Sequence, residues 1–324
     1  MASKIILDTD PGIDDAMAIL FAESHPFIEL LAITTVYGNS TIEHTTQNAL
    51  YLKDTFKLKA DVAKGTDHPI QRKGFSPAVA VHGENGFGDL DVPELSDVQL
   101  DTRPAYQYII DTIKANPGEI TLVAVGPLTN LALALQADLT IASLVKEVVV
   151  MGGAFGIHNH YGNVTAYAEA NIHNDPDAAD LVFSAQWPVV IVGLDVTEES
   201  FFTGEYLANL RQDSGFVGQF LWDVSRYYLR FYSQKTGRDG CHVHDSSAIA
   251  YVIAPELFKV REGAIGVICE GERAGMTVQK QDGLSDQFIE WEENPSAQQV
   301  CVDVDEPALL TLYRESMMHY AKRF

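Results

Sequence analysis

Residues 8–16 read Asp8-Thr9-Asp10-Pro11-Gly12-Ile13-Asp14-Asp15-Ala16, directly after the apolar run Ile5-Ile6-Leu7. A short apolar run stopped by Pro-Gly predicts a buried strand and then a turn. From Ile13 to Phe21 apolar residues recur at helical spacing without Pro or Gly, which predicts a helix. The four aspartates therefore lie where a strand ends, a turn follows and a helix begins. In open α/β sheets this C-terminal edge of the strands is where ligands bind.

Four anions in one crevice raise each other's pKa and call for compensation. Oxygen donors without nearby His or Cys suit a hard cation, Ca²⁺ or Mg²⁺, rather than Zn²⁺. Asp14 and Asp15 also suit a helix N-terminus electrostatically, but that leaves Asp8 and Asp10, on the strand side of the turn, without a reason. Two familiar motifs are excluded. An EF-hand loop wants Gly at position six and Glu at position twelve; counted from Asp8 these are Ile13 and Ile19. The nucleophile strand of haloacid-dehalogenase-type phosphatases wants Thr or Val two residues past its second Asp, where this chain has Gly12.

Outward from this stretch, strand-like and helix-like segments alternate. Leu30 to Val36, Ile120 to Val125, Val148 to Met151 and Val189 to Val192 read as buried strands, and Thr41 to Phe56 and Thr129 to Ala137 as helices. Continuous apolar strands alternating with helices predict an α/β fold: an open, mostly parallel, Rossmann-like central sheet with helices on both faces. The second half is less regular. Phe201 to Tyr232 reads as helical with a break between Leu210 and Gly218, Ile265 to Glu270 and Met276 to Gln279 as paired strands, and Pro307 to Ala321 as a final helix. No linker divides the chain, so one domain over residues 1–324 is expected. Gly74 to Gly88 and Phe155 to Asn174 are the candidate functional loops.

The 324 residues carry a net charge of −23, which argues against nucleic acid or an anionic membrane as partner. The three cysteines, Cys241, Cys269 and Cys301, are odd in number and far apart, which favours a reducing, cytoplasmic compartment. No run approaches the length of a membrane span.

Three further constellations carry possible chemistry, each with a plain structural alternative. Val125-Gly126-Pro127-Leu128-Thr129-Asn130 ends a strand, and a carbonyl there is free to bind a cation; taken alone, the segment reads rather as an ordinary strand-to-helix turn with Thr129 as its cap. His244-Asp245 precedes a helical run, where Asp245 suits a cap and His244 a packing role. Asn163 and Ala168-Glu169-Ala170-Asn171 offer the amide and carboxylate groups that match sugar hydroxyls, or a polar loop in which Asn171 or Asp175 caps the helix beginning at Pro176. Asn39 suits a turn, His82 lies in a Gly-rich loop, and Tyr228 and Tyr232 stand one helical turn apart, a spacing common in cores.

The continuous segment Asp8–Ala16, the Gly126–Asn130 turn, Met151-Gly152-Gly153, Gly193-Leu194-Asp195-Val196-Thr197 and His244-Asp245 resemble the nucleoside hydrolases, the inosine-uridine-preferring N-ribohydrolases. The likeness runs from Ile5 to at least Asp245. It implies a nucleoside hydrolase fold and a calcium-dependent ribonucleoside hydrolase of nucleoside salvage. By resemblance, Asp10, Asp15, Asp245 and the Val125 carbonyl hold Ca²⁺, which also takes the ribose 2′- and 3′-hydroxyls and a water that attacks C1′. Asp10 is then the general base, His244 the proton donor to the leaving base, Asp14 the group that orients the 2′-hydroxyl, and Asp8 a buttress. Asn163 and Glu169 fall on the 5′-hydroxyl, Asn171 on the 2′/3′ side, and Asn39 and Met151 at the substrate. His82, Tyr228 and Tyr232 fall around the base. Ala170 stands where the family has Phe, leaving room on the 5′ side. No chemical role falls to Asp195, for which a structural one is expected. A broad or pyrimidine-tolerant base preference is implied by His244, since Trp187, Trp222 and Trp291 all lie outside the matched motifs. The resemblance also implies a homo-oligomer, dimer or tetramer, with a small ribonucleoside as its ligand.

Two other readings stand beside this one. A metal-dependent phosphohydrolase would call for Lys or Arg at the transferred group, and the motifs contain none. A non-catalytic nucleoside or sugar binder would not need a base at Asp10.

Overall fold

In the first strand of the computed structural model, Ile5 and Leu7 face one hydrophobic core and Ile6 the other, the two-residue period of a strand buried on both faces. The structure describes residues 2–88, 90–93, 98–280 and 298–324. In chain order the first half comprises β1 (Ser3–Thr9), α1 (Ile13–Ser24), β2 (Ile28–Thr35), α2 (Ile42–Phe56), β3 (Asp61–Lys64), α3 (Val79–His82), α4 (Ala105–Ala115), β4 (Ile120–Ala124), α5 (Thr129–Ala137) and β5 (Glu147–Met151). Then come α6 (Ala170–Asn174), α7 (Pro176–Ser184), β6 (Val189–Val192), α8 (Leu194–Thr197), β7 (Phe201–Thr203), α9 (Gly204–Asp213) and α10 (Gly215–Thr236). The chain closes with β8 (Gly240–His242), α11 (Asp245–Ile253), β9 (Phe258–Glu262), β10 (Ile265–Ile268), β11 (Met276–Gln279), β12 (Gln298–Val304) and α12 (Glu306–Tyr320).

The main sheet has eight strands in the order β3-β2-β1-β4-β5-β6-β12-β9. All neighbours are parallel except β9, which runs antiparallel to β12 at one edge. The order reverses at β1: the chain steps outward to β2 and β3, then returns to place β4 on the other side. The crevice beyond the C-terminal ends of β1 and β4 is the topological switch point, where such sheets bind ligands. One face is covered by α4, α5 and α7. The other is covered by α1, α2 and the helices from α9 onward.

The expected strands and helices of the first half are present, with β3, α3 and α4 added to them. One expectation for the second half needs correction. Phe201 to Tyr232 is not all helical: Phe201–Thr203 pairs with Gly240–His242. Phe201 and Phe202 are both buried, and the Thr203 side chain accepts from Tyr206 N at 3.0 Å and caps α9, so the helix starts only at Gly204. The break falls at Ser214, and α10 then runs on past Tyr232 to Thr236. The β10–β11 pair forms as expected but as a separate two-stranded sheet. The main sheet is completed instead by β12 and β9. Trp187 lies in the core and Trp222 on α10; Trp291 lies outside the described residues. No described helix is long and apolar enough to cross a membrane.

Candidate active site

The turn after β1 aims its carboxylates inward because the surrounding residues fix them one by one. Asp15, in the first turn of α1, accepts from Gly12 N at 2.9 Å, Thr9 Oγ1 at 2.5 Å and Asn39 Nδ2 at 2.8 Å. Asp10 Oδ2 accepts from Asn39 N at 2.6 Å. Its Oδ1 is buried without a hydrogen-bond partner. Gly38 and Gly126 wall this carboxylate: a Cβ on Gly38 would sit 2.1 Å from Oδ2, and one on Gly126 would sit 2.7 Å from Oδ1. Asp8 lies one layer deeper, accepting from Thr34 Oγ1 at 2.6 Å and Asn130 Nδ2 at 2.9 Å.

The strand ends next to β1 supply the rest of the floor. The ladder stops at Ala124; Val125 N still donates to Asp8 O at 2.8 Å, while its carbonyl accepts from Asn171 Nδ2 at 2.9 Å. Asn171 Nδ2 also donates to Met151 O at 3.1 Å. Glu169 accepts from Gly153 N, Asn171 N and Ile172 N and so caps α6, a role not read from the sequence. Asp175, not Asn171, caps α7 by accepting from Ala178 N at 3.2 Å. Asn163 is exposed and its Oδ1 accepts from Ala170 N at 3.0 Å. Asp245 opens α11 with its carboxylate turned to the cleft rather than used as a cap. Asp195 accepts from Phe155 N and Ile157 N and anchors the start of the 155–174 loop, the structural role expected for it.

Together these residues line an open cleft of about 650 Å³. Asp14, Asn39, His82, Val125, Met151, Asn163, Glu169, Asn171, Tyr228, Tyr232, His244 and Asp245 all border it. Asp10 and Asp15 lie immediately beneath, and Asn39 ties them together, its N–H donating to Asp10 and its Nδ2 to Asp15. Both candidate loops reach the rim, through Val81 and His82 on one side and Val164 and Ala170 on the other.

Oxygens of Asp14, Asp15 and Asp245 lie within 4.8 Å of one another. Burial, and then the neighbouring carboxylates, hold Asp10 and Asp245 well above the usual range. Burial and Asp15 push Asp14 up to about 7, and burial raises Asp15. A divalent cation relieves this repulsion, and the donors fit one: carboxylate and carbonyl oxygens, with Asp10 Oδ1 otherwise unpaired. The nearby imidazoles are engaged elsewhere. His82 Nδ1 accepts from Ile13 N at 3.2 Å, and burial lowers its pKa to about 3.

The far wall is built by α10 and the start of α11. Tyr228 Oη donates to Asp14 Oδ2 at 3.2 Å. The Tyr232 hydroxyl lies 2.9 Å from His244 Nε2, and Thr197 Oγ1 lies 2.8 Å from His244 Nδ1. The two tyrosine rings meet edge to face, 4.9 Å apart. Burial holds His244 neutral, well below its usual pKa. Thr197, which fixes His244 from α8, was visible in sequence only as part of the Gly193–Thr197 match. Phe231 and Lys235 also line the cleft and were not anticipated; the sequence-derived helix ended at Tyr232, just short of Lys235.

The model of the family described as inosine-uridine preferring nucleoside hydrolase matches residues 5–311. The chain is 39% identical to a probable uridine nucleosidase 1 of Oryza sativa subsp. japonica, over 97% of this chain and 96% of that one. It is 40% identical to the pyrimidine-specific ribonucleoside hydrolase RihB of Escherichia coli, over 85% of this chain and 86% of that one. Among solved structures, the purine-preferring ribonucleoside hydrolase from Gardnerella vaginalis superposes with a TM-score of 0.90 at 34% identity, covering 99% of this chain and 100% of that one. The chain has the nucleoside hydrolase fold, belongs to the inosine-uridine preferring nucleoside hydrolase family and is a nucleoside hydrolase.

Proposed function

We propose that this protein hydrolyses the N-glycosidic bond of ribonucleosides, with Ca²⁺ held by Asp10, Asp15, Asp245 and the Val125 carbonyl, to give ribose and free base. The observation that carries the reading is the buried, unpaired Oδ1 of Asp10 beside carboxylates whose mutual repulsion a cation relieves. A calcium ion held by these residues would supply Lewis-acid chemistry, making the attacking water more acidic.

The chain's own groups divide the remaining work. Asp10 Oδ1 takes the proton of the water as its oxygen bonds C1′. The glycosidic bond breaks with its electron pair passing to the base, so the ribosyl group gains positive charge and the base negative charge. Asp14 and Asp245 face the side where positive charge grows and stabilise it. Asp14, Asn171, Glu169 and Asn163 orient the sugar hydroxyls. Tyr232, Tyr228 and His244 form a hydrogen-bonded wall at the base, from which a proton reaches the leaving nitrogen.

The test is ribose release from uridine and inosine against their 2′-deoxy analogues, with and without a chelator. Ribonucleosides should be hydrolysed, chelation should stop the reaction and Ca²⁺ should restore it. A site built to hydrogen-bond a hydroxyl rejects the analogue lacking it by about 10⁴–10⁵, and the 2′-deoxynucleosides should be poorer by about that factor. Comparable kcat/KM on uridine and 2′-deoxyuridine would remove the metal and Asp14 from the sugar.

A further inference from the structure

The face of α10 turned to the cleft carries Tyr228, Phe231, Tyr232 and Lys235, at the i, i+3, i+4 and i+7 positions that share one helical stripe. Their contacts give the stripe a direction. Tyr228 is buried and touches Asp14; Tyr232, one turn on, touches His244; Lys235, three residues further, is exposed at the mouth. Seven residues of helix span about 10 Å, so Lys235 stands well beyond the level of Asp14, on the base side of the cleft. Lys235 is the only Lys or Arg among the described residues that line this cleft.

We infer that Lys235 is a specificity-determining residue of the hydrolase, its ammonium donating to an exocyclic carbonyl oxygen on the edge of the base farthest from the sugar. The inference rests on the ribonucleoside reading above. As the bond to C1′ breaks, the electron pair left on the base nitrogen delocalises onto its ring carbonyls, O4 in uracil or O6 in hypoxanthine. The cleft is polarised to match, with carboxylates where the ribosyl cation forms and one cation where the base becomes an anion. Cytosine and adenine present an amino group at those positions, a donor facing a donor, so they gain nothing from the ammonium. Lys235 is placed to do this: it borders the cleft beside Phe231 and Tyr232, and its Nζ lies 5.9 Å from the Phe231 ring centroid.

The test compares the wild type with Lys235→Met and Lys235→Arg on uridine against cytidine and inosine against adenosine. In Lys235→Met, kcat/KM for the carbonyl base should fall about fivefold, the scale of an exposed charged contact, mostly through kcat. The amino base should change less than about twofold, and Lys235→Arg should keep most of the wild-type ratio. An unchanged ratio, whether both substrates lose equally or neither does, overturns the inference while leaving the hydrolase reading intact. If the wild type releases ribose from none of the four nucleosides, the hydrolase reading falls and this inference with it.

Discussion

Asp10 shows how a single carboxylate is assigned two unequal oxygens. Oδ2 is fixed by Asn39 N at 2.6 Å, while Oδ1 is buried and open. The carboxylate fills the space that a Cβ at either flanking glycine would need, and the short bond from Asn39 N fixes which oxygen lies where. This decides what Asp10→Asn does. The amide NH₂ cannot face the Asn39 N–H, because two donors would meet, so the amide oxygen takes the Oδ2 place and the NH₂ replaces Oδ1. The acceptor for the water's proton is then lost, together with the oxygen that faces the cation, while the shape is kept. General-base assistance is worth about 10²–10⁴, so kcat at a Ca²⁺ concentration that saturates the variant should fall by at least that factor, and the variant should need more Ca²⁺ than the wild type. Steady-state ribose release checks this; a variant with near-wild-type turnover takes Asp10 out of the mechanism. The aspartates were legible in the sequence because each is a local feature of one turn. The fixing partners Thr34, Asn39 and Asn130 come from β2, the turn after it and α5, and the sequence alone does not say which of their hydrogen bonds reach which carboxylate.

The element that the sequence resolved least is α10. Its tyrosines at i, i+4 suit either a core or a binding wall, and the structure gives them buried rings at the edge of the cleft, with hydroxyls that end on Asp14 and His244. The deciding contacts are long-range, from α10 back to the turn after β1 and forward to the start of α11, so no local period reveals them. Tyr232→Phe separates the two roles. The ring packing stays, but His244 loses its partner at Nε2. If the wall delivers a proton to the leaving base, kcat on uridine should fall by up to about 100-fold, while a nitrophenyl riboside, whose leaving group needs no proton, should be hardly affected. Equal losses on both substrates would show that Tyr232 only packs. The missed strands β9 and β12 have a related cause. Phe258–Glu262 alternates apolar with charged residues, as an edge strand does, and Gln298–Val304 joins the sheet only through partners far away in the chain.

At the scale of the whole molecule, the sheet order concentrates buried negative charge at one point. Parallel strands were readable from continuous apolar runs, but their order was not, and it is the reversal at β1 that brings Asp8–Asp15, Val125 and Asp245 together. This arrangement costs stability, because burying an ionised carboxylate is expensive unless it is paired. Burial pushes Asp8 up to about 7, and burial with Asp15 pushes Asp14 to about 7, against about 4 for a free aspartate. Between those values the folded chain holds more protons than the unfolded one. The stabilisation from protonation is thus fully present below pH about 4 and is lost as pH rises through about 7. A divalent cation binds only the ionised carboxylates, so it competes with protons for the cluster and offsets the repulsion where the protons have left. The metal-free protein should therefore melt at a lower temperature at pH 8 than at pH 5, and saturating Ca²⁺ should raise Tm more at pH 8 than at pH 5. Differential scanning calorimetry at fixed ionic strength measures both. An equal calcium gain at the two pH values would mean that the ion binds without displacing protons, and the carboxylate cluster at the switch point would then not be its site.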